Sequence, residues 1–385
     1  MDQQDPDFQA EPHPTELIVD LRHRDAVLAL LADLRVPHDG VEDSADLRLT
    51  LLRNLDMAAY APGARKDYAN ELAAANPDGF TDLDVLLHDL RHRFATDHGH
   101  LPVLGKNREA IVGFPQHKGL PKTPVAVSEP LTITKTGRGA GVRIGVVDTP
   151  VVPHSALPAD LVAVDAALTA PASEQFWAGH GTFVAGLIRQ AAPDAHLDMR
   201  TGLSAVNGKG DSWELAKTIA AFRHSGIHIL NLSLGCATAD GNPPLVLSRA
   251  VEVLGDEVLV VAAAGNRNLT EDRLKAIWPA AATAVVAVGA TQRPGGESAF
   301  SMDRPWVDCV APGVRVISAY PTRSVLGEGE SDDGWAMWSG TSFAAATVSG
   351  EIAARMTKNH CGAKEARENL LHDETSVVRK FEFHA

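Results

Sequence analysis

From residue 141 onward, short and nearly unbroken apolar runs alternate with longer stretches of helical period. GVRIGVVD (141–148), AHLDMRT (195–201), IHILNLSLG (227–235), VLVVAAAGN (258–266) and AVVAVGAT (284–291) are such runs. Strands covered on both faces read this way, as in a parallel sheet flanked by helices. Between them, GTFVAGLIRQ (181–190), DSWELAKTIAAFRHSG (211–226), PLVLSRAVEVLG (244–255) and TSFAAATVSGEIAARMTK (341–358) read as helices. The pattern predicts an α/β fold with a doubly wound, mostly parallel sheet.

Before residue 141 the pattern differs. TELIVDLRH (15–23) and LRLTLLRN (47–54) read as strands around an amphipathic helix, DAVLALLADLRV (25–36), and a helical stretch follows from about 64 to 97. Residues 1–14 are polar, acidic and proline-containing, and are expected to be disordered. PQHKGLPKTPVAVSEP (115–130) carries four prolines and has linker composition. The expected organisation is a smaller N-terminal α+β unit, 1–127, followed by a larger unit, 128–385.

Composition narrows the function classes. The 385 residues are 45% hydrophobic and 22% charged, with a net charge of −14. An acidic chain argues against nucleic acid or an anionic membrane surface as main partner. The longest apolar runs fall far short of the ~20 residues needed to span a bilayer. The N-terminus lacks a basic start followed by an apolar core, so no secretory signal is read. Three widely spaced cysteines, Cys236, Cys309 and Cys361, give neither a disulfide framework nor a zinc pattern. A cytoplasmic address is the expectation.

Four short segments carry the chemistry: VRIGVVDT with Asp148, GHGTFVAG with His180, VVAAAGN ending at Asn266, and SGTSFAAATVSG with Ser342. They supply a carboxylate, an imidazole, a side-chain amide and a hydroxyl, the groups needed for acyl transfer by a serine nucleophile. Asp148 and Asn266 fall at predicted strand ends, His180 and Ser342 at predicted helix starts. All four can meet outside the carboxyl edge of the sheet, where ligands of such folds bind.

With these motifs the chain resembles the subtilase (subtilisin-like) serine peptidases over roughly residues 128–380. The resemblance implies that Ser342 is the nucleophile, His180 the general base and then acid, Asp148 its orienting carboxylate and Asn266 the oxyanion donor. It also implies that Ser233, Leu234 and Gly235 form one wall of the primary specificity pocket and Ala263, Ala264 and Gly265 the other. Ile277, just before Trp278–Pro279, is expected at the pocket floor, and Arg267 at its rim. A branched floor residue predicts cleavage after small residues, with acidic ones admitted by Arg267.

The sequence departs from the family in two places. Pro150 stands where a glycine usually follows the catalytic aspartate, with Pro153 close behind, so the turn must be built differently. Ala346 stands where a proline usually follows the nucleophile. The calcium-carrying loop common within the helix begun by the catalytic histidine is missing. No metal or cofactor is expected; His88, His92, His98 and His100 read as solvated surface. The expected partners are a protein or peptide substrate and, through residues 1–127, a regulatory partner. That segment reads either as an inhibitory propeptide or as a permanent regulatory domain. A catalytically silent, peptide-binding scaffold is the alternative to a peptidase.

Overall fold

The structure, a computed structural model, describes residues 12–75, 79–111, 123–167, 176–238, 241–266, 276–292, 298–300, 305–321 and 333–381. The N-terminal part contains β1 (Pro12–Asp20), α1 (Arg24–Asp33), β2 (Gly40–Ser44), β3 (Leu49–Arg53), α2 (Ala61–Ala75), α3 (Asp82–His98) and β4 (Leu104–Ile111). Its four strands form an antiparallel sheet in the order β2-β3-β1-β4. The strand read at 15–23 ends at Asp20, whose side chain accepts from Arg22 N and starts a turn. β1 begins at Pro12, inside the segment expected to be disordered; residues 1–11 lie outside the described residues. The helical stretch is two helices. The second is fixed by a Thr81/Asp84 capping box and stopped at Gly99, which takes φ +75°.

Alternation along these strands sorts their side chains onto two cores. Leu17, Val19 and Leu52 pack with Val27 and Leu31 of α1 and Leu86, Leu90 and Phe94 of α3. Ile18, Leu49 and Leu51 point the other way and join the core of the larger unit.

The larger unit follows as β5 (Val125–Val127), β6 (Arg143–Asp148), β7 (Val162–Val164), α4 (His180–Ala191), β8 (His196–Thr201) and β9 (Lys209–Asp211). Next come α5 (Ser212–Ala220), β10 (Ile229–Leu232), β11 (Cys236–Ala237), α6 (Leu245–Leu254), β12 (Leu259–Ala263), β13 (Ile277–Trp278) and β14 (Val285–Thr291). The chain closes with β15 (Ser298–Phe300), β16 (Cys309–Pro312), β17 (Val316–Tyr320), β18 (Gly334–Trp338), α7 (Thr341–Asn359), α8 (Ala363–Leu371) and β19 (Arg379–Lys380).

The main sheet runs β19-β16-β14-β12-β10-β6-β8-β7, with β15 added to β14. Every neighbouring pair is parallel except those made by β19 and β15. From β6 the chain goes to β8 on one side and then returns to β10 on the other. The order therefore reverses between β6 and β10, and a crevice opens beyond their carboxyl ends.

Among the described residues no helix is long and apolar enough to cross a membrane. β5 falls just before the boundary read at residue 127, yet it pairs with β18 of the larger unit. Residues 112–122, which include the start of the expected linker, lie outside the described residues.

Candidate active site

Asp148 ends β6 and His180 begins α4, so strand and helix deliver the two side chains to the crevice. Both are fully buried, with His180 Nδ1 2.7 Å from Asp148 Oδ1. A carboxylate can only accept, so Nδ1 carries a proton, and in the neutral ring Nε2 keeps its lone pair. Nε2 has no hydrogen-bond partner among the described residues. The rings of Phe343, Trp338 and Trp177 surround the imidazole at 5.5, 5.6 and 5.9 Å between centroids. They hold its plane and exclude water from it.

The proline-bearing turn after Asp148 is stitched by threonines. Thr149 Oγ1 accepts from Gly181 N at 2.9 Å, and Thr182 Oγ1 accepts from Val152 N at 2.9 Å. A side chain at Gly181 would come within 2.3 Å of the Thr149 carbonyl oxygen, so only glycine lets α4 start this close to the turn. Pro150 and Pro153 therefore alter the turn while the Asp148–His180 pair stays intact.

Ser342 lies in the first turn of α7, where backbone N–H groups have no helical partner and the dipole favours negative charge. Its Oγ donates to Ser233 O at 3.1 Å, and Ser233 Oγ donates back to Ser342 O at 2.8 Å. Ser233 Oγ also accepts from Asn231 Nδ2 at 2.9 Å, and Asn231 Oδ1 accepts from Ser349 Oγ at 3.0 Å. This buried chain of hydrogen bonds locks the end of β10 to α7. Ala346, at the position where a proline was expected from the family, is buried inside the unbroken helix.

Asn266 is oriented by the same helix start. Its Oδ1 accepts from Thr341 N at 2.7 Å and Thr341 Oγ1 at 2.9 Å. With the oxygen committed, the NH₂ end is turned toward Gly340, whose ideal Cβ would lie 3.6 Å from Nδ2. An amide donor and the amino end of α7 thus border one space.

Two extended edges flank that space. Ser233, Leu234 and Gly235 follow β10, and β9 lies opposite. Between them runs β4 of the N-terminal unit. Glu109, Ala110 and Ile111 pair antiparallel with Asp211, Gly210 and Lys209. On its other edge Ile111 N donates to Gly235 O, and Gly235 N donates to Ile111 O, both at 3.1 Å. The segment lies as a central strand between two edges of the larger unit, the geometry of strand addition to a cleft.

The docking is held by side chains as well. Asn107 Oδ1 accepts from Ser212 Oγ at 2.7 Å and Trp213 N at 3.0 Å, so the N-terminal unit helps cap α5. Glu42 accepts from Trp213 Nε1 at 2.9 Å and Lys217 Nζ at 2.7 Å. Buried Asp20 accepts from Arg249 Nη2 at 3.0 Å.

Of the remaining expected positions, Ala263 ends β12 and Ala264 N donates to Val288 O at 3.0 Å. Gly265 takes φ +97°, a value glycine alone adopts readily, and carries the chain into Asn266. Ile277 is buried against Ala237 and Ile111, and a Cβ on Gly235 would lie 2.7 Å from its Cγ2. Arg267 lies outside the described residues. Sequence reasoning missed β9, β4, the threonine stitches and the aromatic cage of His180. The glycine pair around Lys209, just ahead of an amphipathic helix, was the signal for β9. α4 runs unbroken to Ala191 and β8 starts at His196, so no loop interrupts that helix.

A profile of the subtilase family matches residues 139–379. The chain is 32% identical over 252 residues to subtilisin BL of Lederbergia lenta, covering 62% of this chain and 85% of that protein. It is also 32% identical over 252 residues to the alkaline protease of Alkalihalobacillus alcalophilus, of which it spans 60%. Fervidolysin from Fervidobacterium pennivorans, described as a keratinolytic enzyme related to subtilisin, superposes with a TM-score of 0.60. That match covers 95% of this chain and 58% of fervidolysin at 16% identity, a likeness of fold. The chain belongs to the subtilase family of serine proteases.

Proposed function

We propose that the protein is a serine endopeptidase whose N-terminal unit restrains it by lying in its own substrate cleft. The observation that carries the catalytic half is the buried 2.7 Å Asp148–His180 pair beside the helix start bearing Ser342. In this reading His180 Nε2 takes the Ser342 proton as Oγ attacks the scissile carbonyl. Asp148 holds the imidazole in its tautomer and stabilises the imidazolium without taking its proton. The Ser342 N–H and Asn266 Nδ2 receive the oxyanion; loss of the equivalent amide costs subtilisin about 10²–10³ in kcat. His180 then protonates the leaving amine, and a water activated by the same imidazole hydrolyses the acyl-enzyme.

The pairing of Ile111 with Gly235 and of β4 with β9 supports the restraint. A substrate strand in the same cleft would need the edges that β4 occupies. Ile277, packed against Gly235, supports a pocket that accepts small residues before the scissile bond. The test is a fluorophosphonate probe applied to the intact protein and to protein freed of its N-terminal unit. Labelling of Ser342 in the freed protein, and far slower labelling of the intact one, is the expected result. A folded, freed protein that stays unlabelled would make the chain a peptide-binding scaffold.

A further inference from the structure

α2 and α3 pack side by side on the N-terminal unit, away from the residues of the crevice. His88 and His92 stand one turn apart on α3, with ring centroids 5.2 Å from each other. Glu71 of α2 reaches across to them, and its Oε2 lies 2.9 Å from His88 Nε2. The three donor atoms lie within 4.8 Å of one another. A tetrahedral ion with bonds of about 2.0–2.1 Å needs its ligands about 3.3–3.5 Å apart, between those two separations. Glu71 and His92 are exposed and His88 is half-buried, so small rotations close the set and an ion can enter from solvent.

The surroundings favour the site. The ring of Tyr68 meets His88 edge-on at 4.8 Å and His92 at 6.1 Å. Its hydroxyl donates to Asp89 Oδ1 at 2.7 Å, which anchors the ring against both imidazoles. Among the described residues the other cluster of similar composition is His13, Glu16 and Asp211, whose two carboxylates already have partners. There Asn107 Nδ2 donates to Glu16 and Asp211, and Arg53 pairs with Glu16.

We propose that Glu71, His88 and His92 form a binding site for one divalent transition-metal ion of the zinc class, with water completing its coordination. Two imidazoles and a carboxylate suit such an ion better than calcium or magnesium, which take oxygen ligands. The bound ion ties α2 to α3. α3 in turn carries Asp84, the ion-pair partner of Lys106 on β4.

The experiment uses the intact chain with a histidine-free tag, stripped by a chelator and titrated with zinc sulfate in a calorimeter. One ion per chain is expected, with slower amide exchange in α2 when zinc is present. His88→Ala and His92→Ala should each weaken binding by at least ~10-fold, and Glu71→Gln should weaken it while keeping a hydrogen bond to His88. A His98→Ala/His100→Ala variant, the control, should bind as the parent does. Glu71 and His92 lie at the surface, so Glu71→Gln and His92→Ala should melt like the parent without metal. Absence of one-to-one uptake, or an equal loss in the control variant, would overturn the site.

Discussion

The two largest sheets among the described residues are both covered on two faces, by different means. The parallel sheet is covered by helices of its own unit, as its continuous runs VVAAAGN and AVVAVGAT foretell. The N-terminal sheet has helices of its own on one face only. Its other face, with Ile18, Leu49 and Leu51, is closed by the core that Trp213 and Ile219 of α5 and Val246 of α6 share. Each such side chain is worth roughly 1.5–3 kcal/mol when buried, an upper figure for a chain that is compact when unfolded. The larger unit covers its parallel sheet with its own helices, and the smaller unit's sheet is completed by docking. That asymmetry suits a restraint that must form firmly and yet detach.

The largest effect is expected on the larger unit's side of the comparison, from Ser342→Ala. Removing the nucleophile of subtilisin lowers kcat by roughly 10⁶, and a loss of that order is expected here. Ser342 sits on a helix start held by Thr341, Asn266 and Ser233, so the melting temperature should stay within a few degrees of the parent. Retention of a tenth of the activity by the purified variant would remove Ser342 from its role.

The sequence disclosed the parallel sheet and the residues of the candidate site for a shared reason. Asp148, His180, Asn266 and Ser342 each sit where a strand ends or a helix begins, and local patterns mark such ends. The cleft strand was hidden because LGKNREAI has few apolar residues. Its polar side chains are matched by distant partners, Asn107 by Ser212 and Glu109 by Lys209. β9 is three residues long and looked like the lead-in to a helix. The one-turn spacing of His88 and His92 was plain in the sequence, but Glu71, on the neighbouring helix, was not. Long-range partners leave no local trace.

The cleft strand can be broken at one bond. Proline at Ile111 removes the N–H that donates to Gly235 O and leaves that carbonyl without the strand's donor. An unmade buried hydrogen bond costs about 1–3 kcal/mol, so turnover by the uncut Ile111→Pro chain should rise roughly 10- to 100-fold over the uncut parent. Equal turnover, with both chains shown intact by mass, would deny β4 its restraining role.

Ile277→Gly probes the pocket, and because Ile277 also packs with Ile111 of β4 it is tested in protein freed of its N-terminal unit. Opening the space against Gly235 should shift kcat/KM for phenylalanine over alanine before the scissile bond by about 10- to 200-fold. An unchanged ratio in the peptide-library profile would place the pocket floor elsewhere.

The smallest effect expected is acid loosening of the docked unit through Glu42. Burial alone would raise its carboxyl pKa, but hydrogen bonds from Lys217, Trp213 and Arg53 outweigh burial and lower it from 4.5 to about 2. A depressed acid contributes fully above its ordinary value and loses its contribution as pH falls through the depressed one. Docking should therefore weaken between pH 4.5 and about 2 and be indifferent to Glu42 titration at neutral pH. Glu42 is 38% exposed, so solvent screens part of its worth. Asp20 adds to the same trend: burial raises its carboxyl, yet Arg22 and Arg249 hold it far below the usual carboxylate range. Glu42→Gln should weaken docking less than ~10-fold at pH 7 and flatten the acid response. Amide exchange in β4, followed from pH 5 to pH 3 in parent and variant, reads both. If β4 opens equally in the two chains across that range, the carboxylates of this interface do not hold the cleft strand, and the apolar face of Ile18, Leu49 and Leu51 does.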